Sequence, residues 1–250
     1  MPKTDLVKRS PIRVLDKTLR GGLGKGGVGV LASRKGVGKT ACLVHIALDK
    51  MLQDKPVIHV SYSSRVDHII KWYEDLFREI SRKPRLKDKD PSALFEDLIR
   101  NRVIMNFRQE GTKTEQILRS IEALIVHAPF AAETVIVDGY DFAAAEPEDL
   151  VRFRDFAVRR GLEIWFSASL KGPQPLFDEE GVPRLLFPYL DLIDVLMTLR
   201  FQGEQVGFHL IRHRGRKPRG RLRLMLDPTT LLIALEKTSR PSARKPSRRN

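Results

Sequence analysis

Five short apolar runs, separated by stretches of helical spacing, constrain this chain more than any other feature. The runs are Val28–Ala32, Pro56–Tyr62, Val103–Phe107, Thr134–Asp141 and Glu163–Ser169. Between them, Ala41 to Met51 reads as a mostly buried helix. Val66, Ile69, Ile70, Tyr73, Leu76, Phe77 and Ile80 recur at the spacing of a second one. A short helix is expected over 93–101, and another over 114–127 with Ile117, Leu118, Ile121, Leu124 and Ile125 on one side. The helix 147–160 starts at Pro147, a residue favoured in a first helical turn, and is closed by Gly161. Near-continuous apolar strands alternating with helices are what a parallel sheet covered on both faces requires. The expected class is therefore α/β, a mostly parallel sheet flanked by helices. Beyond a Gly/Pro-rich loop at 171–186 and a short irregular or helical piece at 187–193, the pattern changes. Closely spaced β segments at 194–201, 207–213, 221–226 and 231–236 predict antiparallel hairpins added to the sheet.

The connection after the first run carries the chemistry. Ser33-Arg34-Lys35-Gly36-Val37-Gly38-Lys39-Thr40 leads from strand to helix, and the pattern G-x-x-x-x-G-K-[ST] is missed only at Ser33, which stands in place of the first glycine. Small glycines let backbone N–H groups turn inward around an oligophosphate, and the helix N-terminus adds partial positive charge. Ser33, Arg34, Lys35, Gly36, Val37, Gly38, Lys39, Thr40 and Ala41 are thus the candidate phosphate-binding residues. Lys39 is expected to reach the β- and γ-phosphates, and the Thr40 hydroxyl to ligate Mg²⁺. Asp138, an acid at the end of an apolar strand, is the second candidate Mg²⁺ residue, and Asp141 is the weaker choice.

Composition narrows the remaining classes. A 250-residue chain with 42% hydrophobic residues suits one large α/β domain. The expected divisions are a flexible N-terminus at 1–11, the domain at 12–236 and a basic disordered tail at 237–250. No apolar run is long enough to span a membrane, and the first residues lack the apolar centre of a signal peptide, so a cytoplasmic location is expected. A single cysteine, Cys42, rules out an internal disulfide and a cysteine-cluster metal site. The net charge of +14 is concentrated: 212–223 holds seven Lys/Arg and 237–250 six, neither with an acid. Such patches are the electrostatic footprint of a polyanion binder, with DNA or RNA as the candidate partner. A solvated hairpin and a solubilising tail are the alternative.

Four features taken together resemble the RecA-like ATPase superfamily, and within it the KaiC/RadA-type proteins. They are Leu15-Asp16…Gly21-Gly22-Leu23…Gly26 before the first strand, the loop at 33–40, Val135-Ile136-Val137-Asp138, and Ile211-Arg212-His213-Arg214-Gly215 on a late hairpin. The resemblance spans roughly 12–236. It implies a RecA-like core that binds ATP and Mg²⁺ at subunit interfaces of a homo-oligomer, commonly a six-membered ring. It also implies that Arg212 and Arg214 act in trans on a neighbour's γ-phosphate, a task suited to the planar guanidinium fork. Ser167 and Ser169 fall where the family carries a polar γ-phosphate sensor.

The departures bear on activity. Where the resemblance implies a water-activating carboxylate after the second strand, the chain reads Tyr62-Ser63-Ser64, with no acid until Asp67. Serine is no base at neutral pH without its own activating partner. The sequence therefore leaves three readings open: an ATP-binding protein with weak hydrolysis or none, a nucleic-acid-binding module with a vestigial nucleotide site, and a scaffold whose assembly depends on ATP.

Overall fold

The computed structural model describes residues 2–62, 65–82, 91–128, 130–172, 174–218 and 222–236. Within it the apolar runs form the middle of one nine-stranded sheet: β1 (Val28–Ser33), β2 (Val57–Ser61), β3 (Arg102–Asn106), β4 (Thr134–Asp138), β5 (Glu163–Ser169), β6 (Val195–Gln202), β7 (Gln205–His213), β8 (Leu224–Leu226) and β9 (Ile233–Leu235). Their order is β3-β2-β4-β5-β1-β6-β7-β8-β9. The first six in that order run parallel, and β7, β8 and β9 follow in antiparallel pairings. The class read from the sequence, a mostly parallel α/β sheet with antiparallel strands at the C-terminal end, is the observed one.

Every residue of β1, β2 and β4 is buried, which is why those strands read as unbroken apolar runs. One face of the sheet is covered by α1 (Pro2–Arg9), α2 (Ile12–Thr18), α3 (Lys39–Leu52), α4 (Val66–Ser81) and α5 (Pro91–Ile99). The other is covered by α6 (Thr114–Val126), α7 (Pro147–Arg160) and a 3₁₀ helix at Arg184–Leu192. Helix α3 is buried nearly along its whole length, whereas α4 buries only the stripe Ile69, Tyr73, Leu76 and Phe77. Helix α7 is fixed at both ends by local chemistry. Glu146 and Asp149 form a reciprocal capping box at its start, and Gly161 closes it in the left-handed conformation (φ 66°).

The N-terminus departs from expectation. In place of a flexible segment over 1–11, Pro2–Arg9 form α1, with Leu6 buried against the core and Lys3 ion-paired to Asp54 and Asp97. The partners that hold this helix lie far along the chain, so its own polar composition gave no sign of them. The expected tail at 237–250 lies outside the described residues.

Candidate phosphate-binding site

The site grows out of the end of β1. Ser33 is the last residue of that strand, and its backbone pairs with Ser169 of β5 on one side. The chain then turns through exposed Arg34, Lys35 and Gly36 and enters α3 at Lys39. Two backbone positions make the turn: Gly36 at φ 83° and Gly38 at φ 112°. Gly38 is constrained twice, because a Cβ there would also lie 2.3 Å from the Leu226 side chain of β8. Gly38 caps α3 without any side-chain hydrogen bond, so the first-turn N–H groups of the helix have no side-chain acceptor at the cap. This is the donor arrangement that an anion at a helix N-terminus would satisfy.

Lys39 is folded back over the loop. Its Nζ donates to the carbonyl oxygens of Ser33 (3.1 Å) and Arg34 (3.0 Å) and approaches Ser33 Oγ (3.4 Å). Burial pushes its pKa down to about 8, against the pull of the Asp138 carboxylate. The hydroxyl at position 33, which a glycine would lack, thus takes part in holding the lysine. Nothing in the strand-to-helix geometry requires a glycine at that position: Ser33 sits in ordinary strand backbone, buried and paired.

Asp138 closes the site from the next strand but one. The order β4-β5-β1 puts β5 between the acid and the loop, yet Thr40 Oγ1 donates to Asp138 Oδ2 at 2.8 Å across 98 residues of sequence. On its other oxygen, Asp138 Oδ1 accepts from Ser167 Oγ at 2.7 Å, and that hydroxyl in turn accepts from Gly139 N at 2.8 Å. Asp138 is therefore held by one hydroxyl from α3 and one from β5, both from residues singled out in the sequence. Ser169, at the end of β5, is half-buried beside Ser33. A cavity of about 390 Å³ lined by Tyr62, Gln109, Tyr140 and Asp141 opens next to this corner. Gln109 Nε2 donates to the carbonyl of Gly139, and Tyr62 N to that of Asp138.

The remaining candidates lie elsewhere. Ser63 and Ser64 fall outside the described residues. Asp67, the first acid after β2, is exposed and ion-paired with Arg65 at 2.7 Å. Arg212 and Arg214 are not brought to the loop. Antiparallel pairing sets Arg212 opposite Leu196 and His213 opposite Val195, at the start of β6, whereas the loop at 33–40 follows the end of β1. Arg212 bonds Asp191 at 3.3 Å, and Arg214 N donates to the carbonyl of Asp194, whose carboxylate accepts from Val28 N at the start of β1. Both arginines thus sit at the edge formed by the starts of the parallel strands, opposite Lys39.

Sequence reasoning missed two supports of the site. Leu226 of β8 packs against Gly38. His45 of α3 places Nε2 3.1 Å from the Leu231 carbonyl and 3.3 Å from the Ile233 amide, two groups that one ring nitrogen serves only one at a time. Together these contacts tie the C-terminal antiparallel strands to the loop helix. A lone histidine on an apolar helix carried no signal of this. Comparison with family models and with curated proteins found no match to this chain.

Proposed function

We propose that this chain is a RecA/KaiC-like protein that binds ATP with Mg²⁺ at the loop of residues 33–41. The observation that carries the reading is the Thr40–Asp138 contact of 2.8 Å beside a lysine folded over a glycine turn at a helix N-terminus. Residues from two separate strand-to-helix units converge there on the atoms that a metal-bound oligophosphate needs. Support for the RecA-like core comes from the sheet: the loop strand and the acid strand are separated by β5, and the late strands are antiparallel.

The donor set fits the group. Thr40 and Asp138 offer a hydroxyl and a carboxylate oxygen, the hard ligands Mg²⁺ prefers, and Ser167 keeps the carboxylate oriented. Held by Thr40 and Asp138, Mg²⁺ would supply positive charge that offsets the charge of the phosphate oxygens. The protein's part is to present the α3 N-terminal N–H groups to the phosphates and to swing Lys39 from the Ser33 and Arg34 carbonyls onto them. ATP as the particular nucleotide rests on the family resemblance. Turnover is weak or absent in this reading, because Tyr62-Ser63-Ser64 supplies no carboxylate where the resemblance implies one. Arg212 and Arg214 serve a phosphate only on a second copy of the chain, so their role in trans and the ring assembly stand or fall together.

The test is ATP affinity with and without Mg²⁺ for the parent and for Asp138→Asn. The parent gains affinity when Mg²⁺ is added, and the variant loses most of that gain, about 10- to 100-fold, while keeping its metal-free binding. An undiminished Mg²⁺ gain in Asp138→Asn contradicts the assignment.

A further inference from the structure

Among the described residues, several basic side chains gather at the edge formed by the starts of the parallel strands, away from the loop at 33–40. Arg214 and Arg216 occupy the turn after β7 and Lys25 the glycine turn before β1, while Arg20 ends the segment after α2. Arg20 and Arg214 are close enough that both depress the pKa of His213, behind burial as the main cause. Both arginines hold left-handed backbone (φ 53° and 47°), a conformation that disfavours a large side chain and turns the chain sharply at each point. The acids nearby are engaged: Asp191 with Arg212, and Asp194 with Arg154 and Val28 N. Among the described residues, Arg20, Arg214 and Arg216 are in no ion pair, and all three are exposed. Strand β9 runs antiparallel to β8, so the chain leaves Leu235 heading toward this same edge, with the six basic residues of 237–250 next in sequence.

We infer that this edge, centred on Arg20, Arg214 and Arg216, is a docking surface for the phosphate backbone of duplex nucleic acid, separate from the nucleotide loop. Three observations select that occupant. The basic run 212–223 is six arginines to one lysine, and the guanidinium fork matches phosphate oxygens bidentately. No aromatic residue interrupts the run, so it lacks the stacking platform on which single strands are held. Nor does it carry the row of bulky apolar side chains that a membrane-seated segment inserts. Contacts of this kind position a duplex without reading its sequence.

The experiment is fluorescence anisotropy of a labelled random-sequence duplex, titrated over a range of salt with full-length protein. The parent is compared with Arg20→Asn/Arg216→Ser, which leaves Arg212, Arg214 and the tail in place. The parent binds duplex with a steep salt dependence, and the double variant has a slope shallower by about 2, close to 0.9 for each phosphate that is no longer neutralised. Lys39→Ala, which removes a loop residue at the opposite edge, binds duplex as the parent does, so failure of the nucleotide reading and failure of this one are told apart. An unchanged slope in Arg20→Asn/Arg216→Ser overturns the inference. So does tighter binding to a single strand of the same length, or binding to anionic lipid vesicles with none to duplex.

Discussion

Lys39 shows how a single side chain links the loop's geometry to a measurable property. Its ammonium is held by two carbonyl oxygens and a hydroxyl inside a largely buried pocket, and burial lowers its pKa from 10.5 to about 8. The sign follows directly. In the free protein Lys39 loses its proton as pH rises through about 8, whereas a bound oligophosphate favours the charged form. ATP binding at pH 9 is therefore expected to take up a proton, and at pH 6.5 to take up none through this group. Calorimetry in buffers of different ionisation enthalpy reads the proton count; equal uptake at both values contradicts the placement of Lys39. At the same scale, Ser33 and Ser167 mark what the sequence could and could not convey. The serine in place of the first glycine looked like a defect in the motif, but its side chain helps hold the lysine. Ser167 stood out only through the resemblance, as a candidate γ-phosphate sensor and not as a partner of Asp138. Its bond to Asp138 depends on β4 and β5 lying side by side, a fact of pairing that local sequence does not encode.

At the scale of elements, the turn from β1 into α3 is specified both locally and from a distance. Gly38 adopts φ 112°, and the Leu226 side chain occupies the space a Cβ would need. Gly38→Ala is expected to destabilise the fold by on the order of 2 kcal/mol, from backbone strain alone, and to weaken ATP binding with it. Thermal unfolding and ATP titration of the variant check this. Parent-like stability and affinity would show that the left-handed turn is not required. The strand-loop-helix unit was legible because its signals are local: an apolar run, two glycines and a lysine-threonine pair, followed by a buried helical pattern. Helix α7 was legible for the same reason, with Pro147 and Gly161 at its ends. Helix α1 was not. Its residues are mostly polar, and it is secured by Leu6 in the core and by Lys3 reaching Asp54 and Asp97, contacts whose separation in sequence hides them. The extents of β8 and β9 were similarly hidden, because each has three residues where the apolar pattern suggested six.

Over the whole molecule, the proposed nucleotide loop and the proposed duplex surface lie at opposite ends of the parallel strands. The ends of the parallel strands carry the glycine loop and Asp138, while their beginnings carry Arg20, Arg214 and Arg216. A subunit cannot bring its own Arg212 or Arg214 to its own loop without dismantling the β6–β7 pairing. If those residues act on a nucleotide, they do so between copies. Substituting Arg212→Ala/Arg214→Ala is then expected to leave ATP affinity intact at concentrations where the protein is monomeric, and to lower it only where copies associate. Sedimentation alongside ATP titration tests this, and an equal loss of affinity in the monomer would contradict it. The central claim, that the loop holds ATP, is tested most directly by calorimetric titration of Mg²⁺–ATP into the parent and into Lys39→Ala. Removing a charged hydrogen-bond donor to phosphate costs about 1.5–3 kcal/mol, so the account predicts affinity lower by about 10- to 100-fold. Equal ATP affinity in the two proteins would contradict it.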